Sequence, residues 1–224
     1  MRNIKIQCPA KINLNLKIVN KREDGFHNIN SEMQTISLFD YLNISVEESI
    51  YTEIFLSGNS PEIPYDKSNL VYKATELFLS KIQKTAKISC FIEKNIPIAA
   101  GLAGGSTDAT GILYGLNKLF NEPLSMNELH ILCAKLGSDL NVCLTGGRLL
   151  CEGRGEKISS LPFVDTKVSL IKPLNLGISA RDAYSAFSYK IQNNTDIITR
   201  ACYINDLEWA IIDKYKELQY IKNK

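Results

Sequence analysis

Histidine is scarce in this sequence of 224 residues. It has two histidines, His27 and His130, and none of its six cysteines forms a C-x-x-C pair, which argues against a zinc site. No apolar run reaches the roughly 18 residues that a membrane span needs. The 26 basic and 24 acidic residues leave a net charge of +2, so neither a nucleic acid nor a membrane is an expected partner. Without a secretory signal, we expect reduced cysteines and a cytoplasmic protein.

The N-terminal segment alternates between apolar and polar residues. From Ile4 to Ile18 every even position is apolar, and every odd position is polar or proline. A period of two predicts one long strand, or two strands kinked at Pro9, with one buried face. Lys11 and Asn13 would then project together from the opposite face.

The remaining sequence predicts strands and capped helices in mixed order. Ser68 is the expected cap of the first helix, and Ser125 with Glu128 forms a capping box before another. This mixture predicts an α+β or α/β fold of the kind that enzymes use. Strands are expected at 33–46, 51–56, 87–93 and 142–151 and within 162–173, and helices at 68–82, 106–120, 125–137, 179–189 and 205–220.

The glycine-rich loop at residues 97–108 carries the strongest chemical signal. It reads P-I-A-A-G-L-A-G-G-S-T-D and joins a predicted strand to a predicted helix. Its glycines let the backbone approach a ligand, and the helix N-terminus offers free N–H groups that suit a phosphate. Ser106 and Thr107 add hydroxyls for a phosphate or a phosphate-bound Mg²⁺. The loop lacks the lysine of a Walker motif and the G-x-G-x-x-G fingerprint, and the alternative is a tight turn without a ligand.

Four motifs, in this order, make the sequence resemble the GHMP small-molecule kinases. They are C-P-A-K-I-N-L-N-L at 8–16, D-G-F-H at 24–27, the glycine-rich loop, and L-G-S-D-L-N at 136–141. The D-G-F-H motif makes the chain similar to the members that phosphorylate 4-diphosphocytidyl-2-C-methyl-D-erythritol. Homoserine, mevalonate and galactose kinases share the loop but generally not this motif.

The resemblance implies an α+β, two-domain GHMP kinase fold. A ribosomal-S5-like N-terminal domain at 1–160 would hold the phosphate loop, and an incomplete ferredoxin-like C-terminal domain would follow at 161–224. The third glycine-rich motif of the family, G-[ST]-G, has no counterpart, because no glycine follows Gly177. We therefore expect a C-terminally truncated member. The alternatives are a relative that binds nucleotide or substrate without turnover, and another GHMP activity such as homoserine phosphorylation.

The resemblance further implies ATP-dependent phosphorylation of the 2-hydroxyl of this substrate, with Mg²⁺, in isoprenoid precursor biosynthesis. Asp139 matches the catalytic aspartate of the family, and Lys11 matches its partner lysine. A carboxylate can accept the hydroxyl proton, and an adjacent ammonium can stabilise negative charge during phosphoryl transfer. Outside the motifs, Asp139 would be interpreted as a turn residue and Lys11 as a solvated strand lysine. No protein side chain is assigned to the metal.

Substrate recognition follows from the same resemblance. Phe26 matches a position that stacks on cytosine, and His27 one that hydrogen-bonds the edge of the base; otherwise His27 is a turn histidine. Tyr184 matches a second stacking aromatic, although it also fits a packing position beside Phe187. Asn13 is expected to hydrogen-bond the substrate. The expected partner is this small molecule alone, bound by a monomer or a weak homodimer.

The resemblance also assigns residues to the nucleotide. The alternatives are a helix-start residue for Asn69, a solvated lysine for Lys94 and a first-turn carboxylate for Asp108. The sequence departs from the family at Asn141, where a proline is usual, and at Ala180, where many members have threonine. The positions assigned to ATP and its phosphates are Asn69, Lys94, Pro97, Gly101, Leu102, Ala103, Gly104, Gly105, Ser106, Thr107 and Asp108.

Overall fold

The computed structural model describes residues 1–174, 176–193 and 197–223. Strands and helices are mixed along these residues, which confirms the predicted α+β class. The strands are β1 (Arg2–Asn13), β2 (Lys17–Lys21), β3 (His27–Glu48), β4 (Glu53–Gly58), β5 (Ala86–Glu93), β6 (Arg148–Gly153) and β7 (Lys157–Leu161). The helices are α1 (Leu70–Ile82), α2 (Gly104–Leu119), α3 (Met126–Leu136), α4 (Leu140–Thr145), α5 (Ala180–Gln192), α6 (Ile197–Arg200), α7 (Asp206–Ile211) and α8 (Lys216–Lys222).

The chain forms two compact units whose segments alternate along the sequence. Strand β3 contributes its first part to the second unit and the rest to the first. The predicted domains, 1–160 and 161–224, stay a prediction. The first unit comprises Met1–Lys11, Thr35–Ile98 and Leu102–Gly146, and the second comprises Ile12–Gln34, Ala99–Gly101 and Gly147–Lys224.

The first unit contains a sheet with one continuous hydrophobic core. The later part of β3 pairs antiparallel with β5, and β5 pairs parallel with β4. Alternate residues of β3 and β5 enter the core together with side chains of α1, α2 and α3. Full burial of one large apolar side chain stabilises the fold by roughly 1.5–3 kcal/mol. The largest fully buried side chains of this core are Leu42, Ile44, Phe78, Ile88, Ile92, Ile112, Leu113, Leu116 and Leu129.

The second unit is built on the first part of β3. That part pairs antiparallel with β2 and β6, and β6 pairs antiparallel with β7. Trp209 of α7 is buried and lies edge-on to Phe187 of α5. Asp206, also buried, accepts hydrogen bonds from the Ile18 backbone N–H and the Arg200 guanidinium, which joins α7 to β2.

Of the two alternatives for the N-terminal segment, the kink at Pro9 is wrong. Strand β1 runs through Pro9 without interruption. The break comes at residues 14–16, because the Leu16 N–H donates to the carbonyl of Ile204 and the Leu14 N–H to that of Glu32. Alternation of side chains predicts a buried face but contains no information about where a strand changes its partner.

Three other predicted elements need correction. The strand expected at 142–151 is the short helix α4 followed by β6, because a brief apolar run has no distinctive period. No strand forms within the described residues of 162–173, whereas 157–161 form β7, which the sequence did not predict. The helix expected at 205–220 is two helices, α7 and α8, separated at 212–215. The remaining helices and strands are confirmed, with ends that differ by a few residues.

None of the helices in the described part of the chain has the length and apolar character that crossing a membrane requires.

Candidate active site

Lys11 and Asp139 form an ion pair in the first unit. Nζ of Lys11 lies 3.6 Å from Oδ2 of Asp139. The lysine side chain is 6% exposed and the carboxylate is 37% exposed, so the ammonium is covered by protein while the carboxylate reaches solvent. The sequence-based alternative of a solvated strand lysine is therefore wrong. One buried cation beside one accessible carboxylate is an arrangement that can receive a proton and stabilise negative charge.

The start of α4 leaves the Asp139 side chain available. Asp139 occupies the N-cap position, where aspartate usually accepts a hydrogen bond from the first turn, but its side chain makes no such bond. Its backbone carbonyl accepts from the Cys143 N–H instead. The next turn is secured by Asn141, whose side chain is buried and bonds the imidazole of His130. The motif departure at Asn141 is thus accommodated by a polar contact.

The loop before α2 has backbone torsion angles that favour glycine. Gly101 has a φ of +74°, and Ala103, the N-cap of α2, has a φ of +60°. Helix α2 begins at Gly104, two residues earlier than predicted, so Ser106 belongs to its first turn. The N–H groups of a first turn have no partner within the helix and face outward as donors. Gly105 is exposed, and no atom lies within 4 Å of the position that a Cβ would occupy there.

A backbone hydrogen bond connects this loop to the ion pair. The Lys11 N–H donates to the Leu102 carbonyl over 3.1 Å. The end of β1 therefore holds the catalytic candidate Lys11 directly beside the entrance to α2. Lys11 and Asp139 therefore lie, within the first unit, beside the part of the loop that begins at Leu102.

A buried cluster of three charged residues lies beneath the start of α2. The Lys94 ammonium contacts the Asp40 carboxylate and lies 3.2 Å from Oδ2 of Asp108. All three side chains are buried. The pKa of Asp108 is raised to about 7, because burial and, to a smaller extent, the Asp40 charge outweigh the opposing effect of Lys94. Lys94 is therefore not the solvated lysine of the sequence-based alternative.

Sequence reasoning missed Asp40, although one signal could have found it. Residues 40, 42, 44 and 46 of β3 share one face of the strand, and Leu42, Ile44 and Val46 fill the core. A carboxylate at the next inward position of an apolar strand must have buried partners. Its partners come from the segment that follows β5.

The protonation of Asp108 makes the stability of the fold depend on pH. Because its pKa is raised in the folded protein, the unfolded chain releases this proton first as the pH rises. The free energy of unfolding should therefore fall between about pH 4 and about pH 7. Asp108→Asn cannot titrate and should flatten this part of the curve, so the variant gains stability over the parent as the pH rises. Thermal unfolding at pH 5 and pH 8 measures the difference, and parallel curves for the two proteins would contradict it.

Two of the residues assigned to the nucleotide have structural partners of their own. Asn69 is the N-cap of α1, which corrects the predicted Ser68 cap; its Oδ1 accepts from the Val71 N–H and its Nδ2 donates to the Pro64 carbonyl. Lys94 lies between two carboxylates. Direct contacts of Asn69 and Lys94 with a nucleotide stay a prediction. The partly exposed Ser106 fits the assignment to phosphate, whereas Thr107 and Asp108 are buried.

The residues assigned to the base lie in the second unit. The rings of His27 and Tyr184 stack, with centroids 5.2 Å apart and an interplanar angle of 17°. Phe26 is half exposed, and the Arg154 guanidinium lies 4.9 Å from its ring centroid. Asn13 donates from Nδ2 to Oγ of Ser31. The fold therefore brings His27 of the D-G-F-H motif against α5 within the second unit.

His27 is held as a neutral imidazole by its surroundings. Burial, and after it the charge of Lys21, lowers the pKa of His27. Nε2 of His27 shares a hydrogen bond with Oγ of Ser188 over 3.0 Å. Sequence reasoning missed Ser188, which lies one helical turn after Tyr184 on α5, and this i, i+4 spacing is the signal that could have found it. Because Nε2 is engaged by Ser188, Nδ1 is the ring nitrogen left to hydrogen-bond a base edge.

A segment in the middle of the chain matches a known protein family. Residues 69–147 match the family of GHMP kinases N terminal domain. This segment includes α1, the glycine-rich loop, and the helix that begins after Asp139.

Curated relatives match nearly the whole chain. One is the 4-diphosphocytidyl-2-C-methyl-D-erythritol kinase of Clostridium botulinum, 40% identical, with 98% of this chain and 82% of the relative covered. Another is the kinase of the same name from Clostridium beijerinckii, 45% identical over 82% of this chain and 65% of the relative.

Solved structures agree with these relatives. A crystal structure of 4-(cytidine 5'-diphospho)-2C-methyl-D-erythritol kinase matches with a TM-score of 0.69 and 26% identity, covering 98% of this chain and 81% of that one. A homoserine kinase from Cytophaga hutchinsonii, at 17% identity and a TM-score of 0.60, shares the fold. The predicted GHMP kinase fold is confirmed.

Proposed function

Because the chain belongs to the 4-diphosphocytidyl-2-C-methyl-D-erythritol kinase family, we propose that it transfers a phosphoryl group from ATP to the 2-hydroxyl of 4-diphosphocytidyl-2-C-methyl-D-erythritol. The observation that carries this proposal is the pair of Lys11 and Asp139, hydrogen-bonded through the Lys11 backbone to the loop before α2. A cytoplasmic location and a monomer or weak homodimer stay predictions.

The proposed reaction is a direct displacement at the γ-phosphorus. The substrate hydroxyl oxygen forms a bond to phosphorus, the bond from phosphorus to the bridging oxygen breaks, and ADP leaves. The proton of the hydroxyl goes to the Asp139 carboxylate, which reaches solvent and has no capping role. Lys11 stabilises negative charge on the transferred group, and the first-turn N–H groups of α2 bind phosphate oxygens. Phosphoryl transfer depends chiefly on such positioning and charge stabilisation.

The residues of this site fit a magnesium ion carried by ATP and not one held by the protein alone. Among the described residues, no group of three or more histidine, cysteine or acidic side chains is arranged to hold a metal. Mg²⁺ commonly keeps several waters and binds substrate phosphates with few protein ligands. The Ser106 hydroxyl, in the first turn of α2, would bind such an ion. When bound, the ion supplies charge neutralisation on the phosphates.

Base recognition is proposed for the aromatic group of the second unit. Phe26 is half exposed, and the Arg154 guanidinium lies over its ring. Tyr184 stacks in parallel on His27, so its ring already lies in an orientation suited to a planar partner. His27, fixed by Ser188 through Nε2, supplies one hydrogen bond to the base through Nδ1.

Replacing Tyr184 with alanine is expected to weaken binding of the cytidine-containing substrate. The KM for this substrate should rise about tenfold, equivalent to about 1.4 kcal/mol of lost stacking, while the KM for ATP stays within twofold. Tyr189→Ala is the matched control, because Tyr189 lies on the same helix and is 67% exposed. Steady-state kinetics with each substrate varied in turn gives both constants. An unchanged substrate KM for Tyr184→Ala would remove the stacking role.

A coupled assay of ATP consumption tests the proposed function. Turnover is expected with 4-diphosphocytidyl-2-C-methyl-D-erythritol and not with homoserine. Turnover of homoserine alone would replace the proposed substrate. Nucleotide binding without turnover of either compound would show a protein that binds without catalysis.

A further inference from the structure

The segment between β5 and the glycine-rich loop is anchored to a single buried carboxylate. Oδ1 of Asp40 accepts hydrogen bonds from the backbone N–H groups of Asn95 and Ile96, over 2.6 and 2.7 Å. Its second oxygen, Oδ2, contacts the Lys94 ammonium. Asp40 is completely buried. Three donors from three consecutive residues thus converge on one side chain of β3.

The same ammonium reaches the first turns of α2 at two places. It lies 3.2 Å from Oδ2 of Asp108. It also lies beneath Gly104, since a Cβ on that glycine would be 2.6 Å from Nζ of Lys94. Real Cβ atoms are not found this close to another heavy atom, so residue 104 must be glycine while Lys94 keeps this position. Asp40, through Lys94, therefore determines how closely the start of α2 approaches the end of β5.

This cluster is not a simple ion pair. Two buried carboxylates share one ammonium, and Oδ1 of Asp108 has no hydrogen-bond partner. A buried, unpaired polar atom costs free energy, and replacing such ionic groups with apolar ones is often neutral or stabilising. The contacts of the three charged groups therefore indicate a role in position as well as in stability.

We propose that Asp40 is a positioning residue for nucleotide binding: it fixes Lys94 and the 94–96 segment beneath Gly104, and so places the N–H groups at the start of α2. This inference rests on the proposed binding of nucleotide phosphates at that helix end. Asp40 touches neither ATP nor the hydroxyl substrate, because its side chain is enclosed on all sides.

The Asp40→Asn variant separates this role from simple stability. Asparagine retains an oxygen for the N–H groups of Asn95 and Ile96 but loses the charge that holds Lys94. The freed ammonium then pairs with Asp108 alone, which shifts it relative to Gly104. Asp206→Asn in the second unit is the matched control, since Asp206 is equally buried and is bonded to Arg200 and a backbone N–H.

Calorimetric titration with ADP, together with thermal unfolding, tests the proposal. Asp40→Asn should raise the Kd for ADP about tenfold, and amide hydrogen exchange at residues 104–107 should become faster. Asp206→Asn should lower the Tm as much as Asp40→Asn does, but should change the Kd for ADP less than twofold. An unchanged Kd in Asp40→Asn, or an equal rise in both variants, overturns the positioning role.

A second variant covers the case in which Asp40→Asn does not fold. Asp108→Asn keeps the contact of Asp40 with Lys94 and removes only the ion pair of Lys94 with residue 108 of α2. The Kd of this variant for ADP should rise about threefold. No change in this variant, with Asp40→Asn unfolded, also overturns the proposal. If the parent protein binds no ADP, the proposed function itself is wrong. If the parent binds ADP and the variants bind it equally well, only the positioning role of Asp40 is wrong.

Discussion

Asp139→Asn should abolish most phosphoryl transfer, with kcat reduced about 10³-fold. Asparagine has nearly the size of aspartate but cannot accept the proton of the substrate hydroxyl. The Asp139 side chain is 37% exposed and does not cap α4, so the variant should fold, and the loss of the carboxylate beside the buried Lys11 ammonium should cost at most about 3 kcal/mol. Initial rates with both substrates saturating, and Tm values for both proteins, measure the two effects.

The control for this variant is Asp66→Asn. Asp66 also precedes a helix, and its carboxylate accepts from the Ser68 N–H and hydroxyl, a role that asparagine can largely keep. Its kcat should match that of the parent. If Asp139→Asn retained more than a tenth of the parental kcat, Asp139 would not be the proton acceptor.

Lys11→Met is the second substitution with a large expected effect, a decrease in kcat of about 10²-fold. Methionine fills the buried space of the lysine stem without supplying a charge to Asp139 or to the transferred phosphate. Since apolar replacement of a buried charge is often neutral for stability, the Tm should change by a few degrees at most. Single-turnover measurements show whether the loss lies in the chemical step.

Lys5→Met on the same strand is the matched control. The Lys5 side chain is 55% exposed and pairs with Glu93 on the surface. Its removal should leave kcat and both KM values within twofold of the parent. Equal rates for Lys11→Met and Lys5→Met would show that the Lys11 ammonium has no part in catalysis.

Sequence periodicity predicted the elements whose environment is local. The capping box of Ser125 and Glu128 begins α3 as expected, and β3, β4, β5 and α5 lie where apolar spacing placed them. Periodicity failed where a distant partner decides the structure. The break after β1 depends on the Ile204 carbonyl. Residues 142–151 form the end of α4 and the start of β6 instead of one strand, which depends on the tertiary packing of α4.

The motif residues of the candidate site could be predicted from the sequence, but the buried residues that position them could not. Short motifs identified Lys11, Asp139 and the loop, because their residues lie close together in sequence or match a family pattern. Asp40 precedes Lys94 by 54 residues in the sequence, and only the fold brings the two together. Burial also changed the interpretation of Lys94, whose sequence neighbourhood contains nothing that distinguishes it from a surface lysine.

Identification of the phosphorylated product tests the central claim most directly. Purified protein would be incubated with ATP, Mg²⁺ and 4-diphosphocytidyl-2-C-methyl-D-erythritol, and the reaction followed by ³¹P NMR and mass spectrometry. We predict one ADP for each molecule of substrate phosphorylated at its 2-hydroxyl, and no product with Asp139→Asn on the same timescale. A phosphoryl group at another position, or equal product from parent and variant, would contradict the assignment of this reaction to Lys11 and Asp139.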